Sequence, residues 1–130
     1  MTQSFRKSER LIRKSLISLL FRKGDSWFEF PYKITWMFVS APMTDPVQVL
    51  FTVPRWLFRK SVDRNLIRRR MREEYRMNKE ILYDSLHRTG RQMILCYRYS
   101  SGDILPSSVI REKIIVTLMR LKDLNEKAGG

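Results

Sequence analysis

The spacing of apolar residues changes several times along this chain. The three- and four-residue intervals of an amphipathic helix occur over residues 8–22, about 61–83 and 109–124. Short runs typical of strands, most of them bounded by prolines or turn-forming residues, cover residues 27–30, 32–40, 47–53 and 92–99. Helices and strands therefore mix in one small unit. This mixture predicts an α+β domain with helices packed on a small sheet.

The two longer strand-like runs before the middle helix have the clearest alternation. Alternate aromatic and aliphatic residues give residues 32–40 one strongly aromatic face. Residues 47–53 alternate in the same way, and we expect this second strand to pair with the first. Gly24 is expected to end the first helix in a left-handed conformation. Residues 125–130 are expected to form a mobile tail.

The predicted helix at residues 61–83 keeps its charges on one side. At about 100° per residue, its apolar residues cover one broad face and its basic residues gather beside that face. Arg70 is the exception, and we expect its side chain to reach solvent past Glu73 and Glu74. A merely solvated face would mix both signs, so we interpret the segregated face as a contact for nucleic acid. The polar and basic residues that gather there are Asn65, Arg68, Arg69, Arg72 and Arg76, with Arg64 at the edge.

Net charge strengthens this interpretation. The 130 residues carry 26 Lys and Arg against 13 Asp and Glu, a formal charge of +13 at pH 7. Residues 55–79 hold ten basic and three acidic residues, and residues 1–23 hold seven and one, so these two segments account for the whole excess. A compact chain with this charge repels itself and calls for a polyanionic partner. The length and a hydrophobic content of 43% suit one domain with its own core.

Motifs for catalysis by protein side chains are missing. His87 is the only histidine and Cys96 the only cysteine, so neither a zinc site nor Cys/His catalysis is supported. No glycine-rich phosphate loop follows a strand. Glu73 and Glu74 are neighbours, but neighbours on a helix point about 100° apart. Charge balance among the arginines explains them better than a catalytic carboxylate pair.

The sequence also indicates a compartment. Cys96 lies in an apolar run and cannot form an intrachain disulfide, which fits a buried thiol in a reducing cytoplasm. Residues 1–14 are charged and lack the apolar core of a signal peptide, and no apolar run approaches the ~18 residues that span a bilayer. We therefore expect a cytoplasmic protein without a membrane partner.

Three segments resemble one known family. The run from Ser61 to Glu73 resembles the A-V-x-R-N-x-I-K-R-x-x-R-E signature of the bacterial ribonuclease P protein subunit. Residues 8–24 are similar to the opening R-L…F-x-x-G helix of that family, and Phe51–Arg55 resembles its strand that enters a V-P-K or V-S-K turn. The order and spacing match over about residues 8–122.

This resemblance implies a single αβββαβα domain over residues 1–130, with a left-handed βαβ crossover through the basic helix, a fold shared with a ribosomal protein domain. It also implies the RNA-binding protein subunit of ribonuclease P, which assists the endonucleolytic removal of the 5′ leader from precursor tRNA. A catalytic RNA subunit with Mg²⁺, bound mainly by that RNA, performs the hydrolysis. The implied partners are this RNA and the precursor tRNA, and no protein partner is expected to be required.

The resemblance also implies which residues contact the catalytic RNA. The signature positions are occupied by Arg64, Asn65, Arg68, Arg69 and Arg72. Arg76 joins them through its place on the helical wheel alone. In the family this signature faces the catalytic RNA near the cleavage site.

The family binds the single-stranded leader in an aromatic cleft between its first helix and the sheet. Phe21 matches one cleft position, and Tyr32 and Trp36 are plausible partners on the aromatic strand face, although Phe21 and Trp36 suit a core equally well. Two departures stand out. Ile17 occupies a position where many members carry a second aromatic residue, and the loop at residues 55–60 is longer and more aromatic than usual. Arg55 best matches the usual lysine pair of that loop.

Two other functions stay open at the level of sequence. A ribosomal or ribosome-assembly protein that binds RNA and serves no enzyme is compatible with the implied fold. Binding of duplex DNA by the same helix is the weakest alternative, because no helix-turn-helix spacing precedes residue 61 and an aromatic strand suits unstacked bases better.

Overall fold

The computed structural model of this protein describes residues 4–128. A 3₁₀ turn at Lys7–Glu9 precedes the first α-helix. The strands are β1 (Asp25–Glu29), β2 (Tyr32–Val39), β3 (Val47–Thr52) and β4 (Gln92–Tyr99). The helices are α1 (Lys14–Lys23), α2 (Ser61–Asn78), α3 (Glu80–Thr89) and α4 (Ser107–Ala128). The predicted α+β class and αβββαβα order are confirmed, with the basic helix divided into α2 and α3.

The four strands form one mixed sheet in the order β1-β2-β4-β3. β1 and β4 both pair with β2 in antiparallel fashion, whereas β3 pairs with β4 in parallel. The prediction that β3 pairs with β2 is wrong, because β4 lies between them. The parallel pair is joined by a crossover through α2 and α3, which lets β4 enter the sheet beside β3. The left hand of this crossover stays a prediction.

The sheet separates two hydrophobic clusters because alternate residues of a strand point to opposite faces. The larger cluster joins one face of the sheet to buried residues of α2, α3 and α4. Tyr32, Leu95 and Tyr97 belong to it. The smaller cluster joins the other face to α1, where Leu16 and Leu20 are packed with Ile94 and Cys96. Each face of the sheet is therefore covered by different helices.

The N-terminal segment departs from the predicted helix at residues 8–22. The helix begins at Lys14, and before it Arg10 forms a parallel bridge with Val49 on the outer edge of β3. The Leu11 amide donates to the Val49 carbonyl at 3.0 Å. This pairing covers an otherwise open sheet edge and requires extended rather than helical backbone.

Gly24 does not have the predicted left-handed conformation, since its φ is −72°. A Cβ atom at this position would lie 2.5 Å from the Leu20 carbonyl oxygen and 3.0 Å from that of Trp36. Glycine is therefore required because the backbone at this position passes closely between the last turn of α1 and the sheet. The left-handed cap occurs instead at Gly90, where φ is +70° after α3.

Helix α4 extends beyond the predicted end at residue 124. Residues 125–128, which were predicted to begin a tail, continue the helix, and Asn125 is fully buried. The Asn125 side-chain amide donates to Ser85 Oγ at 2.9 Å and accepts from Arg91 at 2.8 Å. These bonds fix the end of α4 to α3. The rest of the predicted tail, residues 129–130, lies outside the described residues.

Candidate nucleic-acid interface

Helix α2 is amphipathic in the way that its sequence predicts. Ile67, Met71 and Tyr75 are fully buried on one side of the helix and anchor it in the core. Asn65 and Arg69 are exposed, and the remaining basic side chains of the face are partly exposed. We call Arg64, Asn65, Arg68, Arg69, Arg72 and Arg76 the basic face.

Several members of the basic face are held by neighbours. Arg68 donates to the Asn65 side-chain oxygen, and Arg76 pairs with Glu73 at 2.6 Å. This hydrogen bond to Arg76 keeps the pKa of the Glu73 carboxyl below its ordinary value. Arg64 donates to the carbonyl oxygens of Phe58 and Arg59 at 2.8 and 2.9 Å. These contacts orient long, flexible side chains toward one side.

Arg70 lies apart from the basic face. Its guanidinium donates to the Leu105 carbonyl at 2.7 Å, in the loop before α4. The expectation that it passes Glu73 and Glu74 toward solvent is therefore wrong. A carbonyl within reach offers this half-buried guanidinium a direct hydrogen bond instead.

Arg10 extends the cationic surface beyond α2, and the sequence reasoning missed it. Partial burial lowers the pKa of Arg72, and the charges of Arg10 and Arg68 lower it further. Three guanidinium groups from two segments therefore repel one another at this place. A polyanion would relieve that repulsion. The high charge of residues 1–23 was a signal, but the spacing along one helix could not show where that charge lies.

Buried polar contacts hold Arg10 in place. Glu9 is fully buried, and its carboxylate lies 2.7 Å from Lys79 Nζ and accepts from Tyr83 Oη at 2.8 Å. Just before it, Arg6 forms an ion pair with buried Asp45 at 2.5 Å. The segment that carries Arg10 is thus attached to α3 and to the loop before β3.

A second cationic site lies in a cleft between α1 and the sheet. Phe21, with 59% of its surface exposed, lines this cleft together with Lys33 and Arg98, which face each other on β2 and β4. Thr35 and Cys96 also line it, and burial raises the pKa of the Cys96 thiol to about 11. An exposed ring beside two cations suits a base and its flanking phosphates.

The prediction that Tyr32 and Trp36 share this cleft with Phe21 is wrong. Tyr32 is fully buried on the opposite face of the sheet, where its hydroxyl donates to the Ile110 carbonyl of α4 at 3.0 Å. Trp36 belongs to the same core, with its ring 5.2 Å from that of Phe38. Strand alternation sends these side chains away from α1, and Lys33 and Thr35 point toward it instead.

The remaining positions singled out by the resemblance flank the cleft or pack beside it. Ile17 is half-buried against the smaller core cluster. Arg55 is exposed in the loop after β3, a strand that ends at Thr52 opposite Arg98 of β4. Arg55 therefore lies beyond the end of the strand pair that carries one cation of the cleft.

The part of the chain that the structure describes contains neither a metal-binding cluster nor a membrane-spanning helix. Within residues 4–128, no three His, Cys, Asp or Glu side chains are grouped so that they could hold a metal ion. In the same part of the chain, none of the helices has the length and apolar character needed to cross a bilayer.

Comparisons with known proteins agree on one family. A family model described as Ribonuclease P matches residues 5–120. The ribonuclease P protein component of Chlorobaculum tepidum is 35% identical over 115 residues, covering 82% of this chain and 74% of the relative. That of Porphyromonas gingivalis is 26% identical over 115 residues, covering 88% and 84%.

Solved structures share the fold. The ribonuclease P protein from Thermotoga maritima superposes with a TM-score of 0.69 at 20% identity, over 86% of this chain and 96% of that one. The Staphylococcus aureus protein gives 0.66 at 17% identity, over 88% and 98%.

Fold and site together define a small, single-domain α+β protein that presents a cationic helix. The chain belongs to the ribonuclease P protein family. It is a component of ribonuclease P, and its family acts in tRNA processing.

Proposed function

We propose that this protein is the noncatalytic, RNA-binding subunit of its ribonuclease P and acts in the cytoplasm. Membership of the family, together with the single cationic side of α2, carries the proposal. The basic face and Arg10 bind phosphates of the catalytic RNA. A helix anchored by three buried residues presents those cations in a fixed arrangement, which lowers the entropy lost on binding.

The cleft beside α1 serves the second RNA partner. In this proposal Phe21 stacks on an unpaired base of the precursor leader, while Lys33 and Arg98 neutralise the flanking phosphates. Binding of the leader favours the precursor over mature tRNA, which lacks it. The protein thereby helps to place the 5′ junction of the precursor at the catalytic RNA.

Hydrolysis belongs to the RNA subunit in this proposal, with Mg²⁺ held mainly by that RNA. The protein sequence offers one histidine and one cysteine, and the cysteine is buried. The side chains of this chain bind and orient RNA, and their positive charge reduces the repulsion between two polyanions that must meet.

Copurification distinguishes this proposal from a ribosomal role. The tagged full chain, isolated under mild salt from the cells that produce it, should carry one abundant RNA that cleaves precursor tRNA when tested alone at high Mg²⁺. Ribosomal RNA as the dominant species would contradict the proposal and favour a ribosome-assembly protein.

A further inference from the structure

Trp56 has an exposure that its residue type rarely shows. Its side chain is 75% exposed, the largest value among the exposed large apolar side chains of residues 4–128. Tryptophan is usually well buried, because its ring loses more contact with water than most side chains do on folding. An indole held in solvent at this level is available to a partner outside the chain.

The loop that carries Trp56, residues 54–60, is fastened on both sides of the indole. Phe58 is buried, with its ring 6.1 Å from that of Tyr99, and the Leu57 amide donates to the Pro54 carbonyl at 3.2 Å. Arg64 of the basic face donates to two carbonyls of the same loop. Trp56 is therefore presented by a structured loop.

The charge of the loop that carries Trp56 indicates the kind of partner. Arg55, Arg59 and Lys60 are all exposed, and the loop contains no acidic residue. A flat ring and three cations carried by one seven-residue loop match a nucleotide, since a base can stack on the indole while phosphates contact the cations. A membrane surface is a weaker match, because stable insertion needs more apolar area than one indole supplies.

The position of the loop indicates which RNA segment would reach it. β3 ends at Thr52, which pairs with Arg98 of the cleft. Trp56 follows four residues later, so its Cα lies within about 15 Å of that of Thr52. The loop ends at Lys60, where α2 and the basic face begin. It thus connects the leader cleft to the basic face.

We propose that Trp56 stacks on an unpaired base of the precursor leader, just beyond the Arg98 end of the cleft, while Arg55, Arg59 and Lys60 contact the neighbouring phosphates. The choice of the leader rests on the function proposed above. Stacking on an exposed indole tolerates any base, so this contact adds affinity for long leaders without selecting their sequence.

The test compares Trp56→Leu, which removes the aromatic ring, with Trp56→Phe, which keeps an aromatic ring. Both replacements are apolar and similar in size. Dissociation constants of the reconstituted enzyme are measured for precursor tRNAs with leaders of increasing length and for mature tRNA. Trp56→Leu should weaken binding of long-leader precursors roughly 5- to 150-fold, the range expected for one stacked base. Trp56→Phe should retain most of the affinity, and mature tRNA should bind all variants equally.

A control and two outcomes make the test decisive. Met119→Ala removes another exposed apolar side chain, 54% exposed on α4, and should change no affinity. Equal binding of long leaders by Trp56→Leu and the wild type would overturn the proposal. So would Trp56-dependent binding to vesicles of phosphatidylglycerol and phosphatidylcholine, which would assign the loop to a membrane.

A different result, seen in the wild-type protein, would contradict the proposed function itself. If the wild-type protein fails to favour precursor over mature tRNA, the role of the leader is wrong whatever Trp56 does. The loop is then tested in the protein alone by tryptophan fluorescence with single-stranded oligoribonucleotides. If the oligoribonucleotide quenches the fluorescence of the wild type but not that of Trp56→Leu, Trp56 is still a base-stacking residue. If the wild type shows no quenching, Trp56 does not stack on bases.

Discussion

The carboxylate of Glu9 lies 2.7 Å from the ammonium of Lys79, and both side chains are buried. Seventy positions separate these residues in the chain. Their contact attaches the N-terminal segment to the junction of α2 and α3. Arg10, the next residue, thereby reaches the charges of Arg68 and Arg72.

Breaking this pair should destabilise the fold. Glu9→Gln leaves the buried Lys79 ammonium without its counter-charge, and removal of one partner from a buried pair costs about 3–5 kcal/mol. Denaturant unfolding measures the loss as a change in the free energy of unfolding. Glu126→Gln, which breaks an exposed pair with Arg88, is the matched control and should have a much smaller effect. Similar losses in both variants would contradict the role of Glu9.

The basic face should set the salt dependence of RNA binding. Arg68→Gln and Arg72→Gln should each weaken binding to the catalytic RNA and reduce the slope of log K against log salt by about one unit. Arg111→Gln on α4 removes an exposed arginine from a different helix and should leave the slope unchanged. Equal slopes for all four proteins, wild type included, would mean that the basic face does not contact RNA.

Phe21 should matter for the leader and little for stability. Phe21→Ala removes a ring that is 59% exposed, so the free energy of unfolding should change little. Affinity for a precursor tRNA should fall roughly 5- to 150-fold through the loss of one stacked base, with mature tRNA unaffected. Equilibrium binding to the reconstituted enzyme measures both. An equal loss for precursor and mature tRNA would argue against stacking on the leader.

Gly24 should be sensitive to the smallest added side chain. Gly24→Ala places a methyl group 2.5 Å from the Leu20 carbonyl oxygen of α1 and 3.0 Å from the Trp36 carbonyl oxygen of β2, so the backbone between α1 and β1 must move. We expect a loss of about 1–3 kcal/mol in the free energy of unfolding, the usual effect of overpacking. Gly102→Ala is the control, because open space surrounds that position. A tolerated Gly24→Ala would show that the close approach is not required.

The basic face could be predicted from sequence because α2 is long and its charges follow one helical period. Each signature residue lies on the side that the wheel assigns to it, since three buried apolar residues fix the rotation of the helix. Arg10 could not be found in this way. Its place depends on the contact between Glu9 and Lys79, which no local spacing records.

The sheet shows a second limit of sequence reasoning. Alternation correctly divided β2 into two faces, but it could not say which face α1 covers. The pattern alone therefore predicts Tyr32 and Trp36 in the cleft and does not single out Lys33. The pairing of β3 was wrong for a similar reason. A strand pattern indicates which side chains are buried, and the identity of the neighbouring strand depends on the crossover through α2 and α3.

We propose that this protein assists a catalytic RNA in the maturation of precursor tRNA. The most direct test of this role is the rate of 5′ leader removal by the cognate RNA subunit at low Mg²⁺, with and without the full chain. We predict strong stimulation by the protein and correct cleavage at the 5′ junction. An unchanged rate with a folded protein would contradict the account.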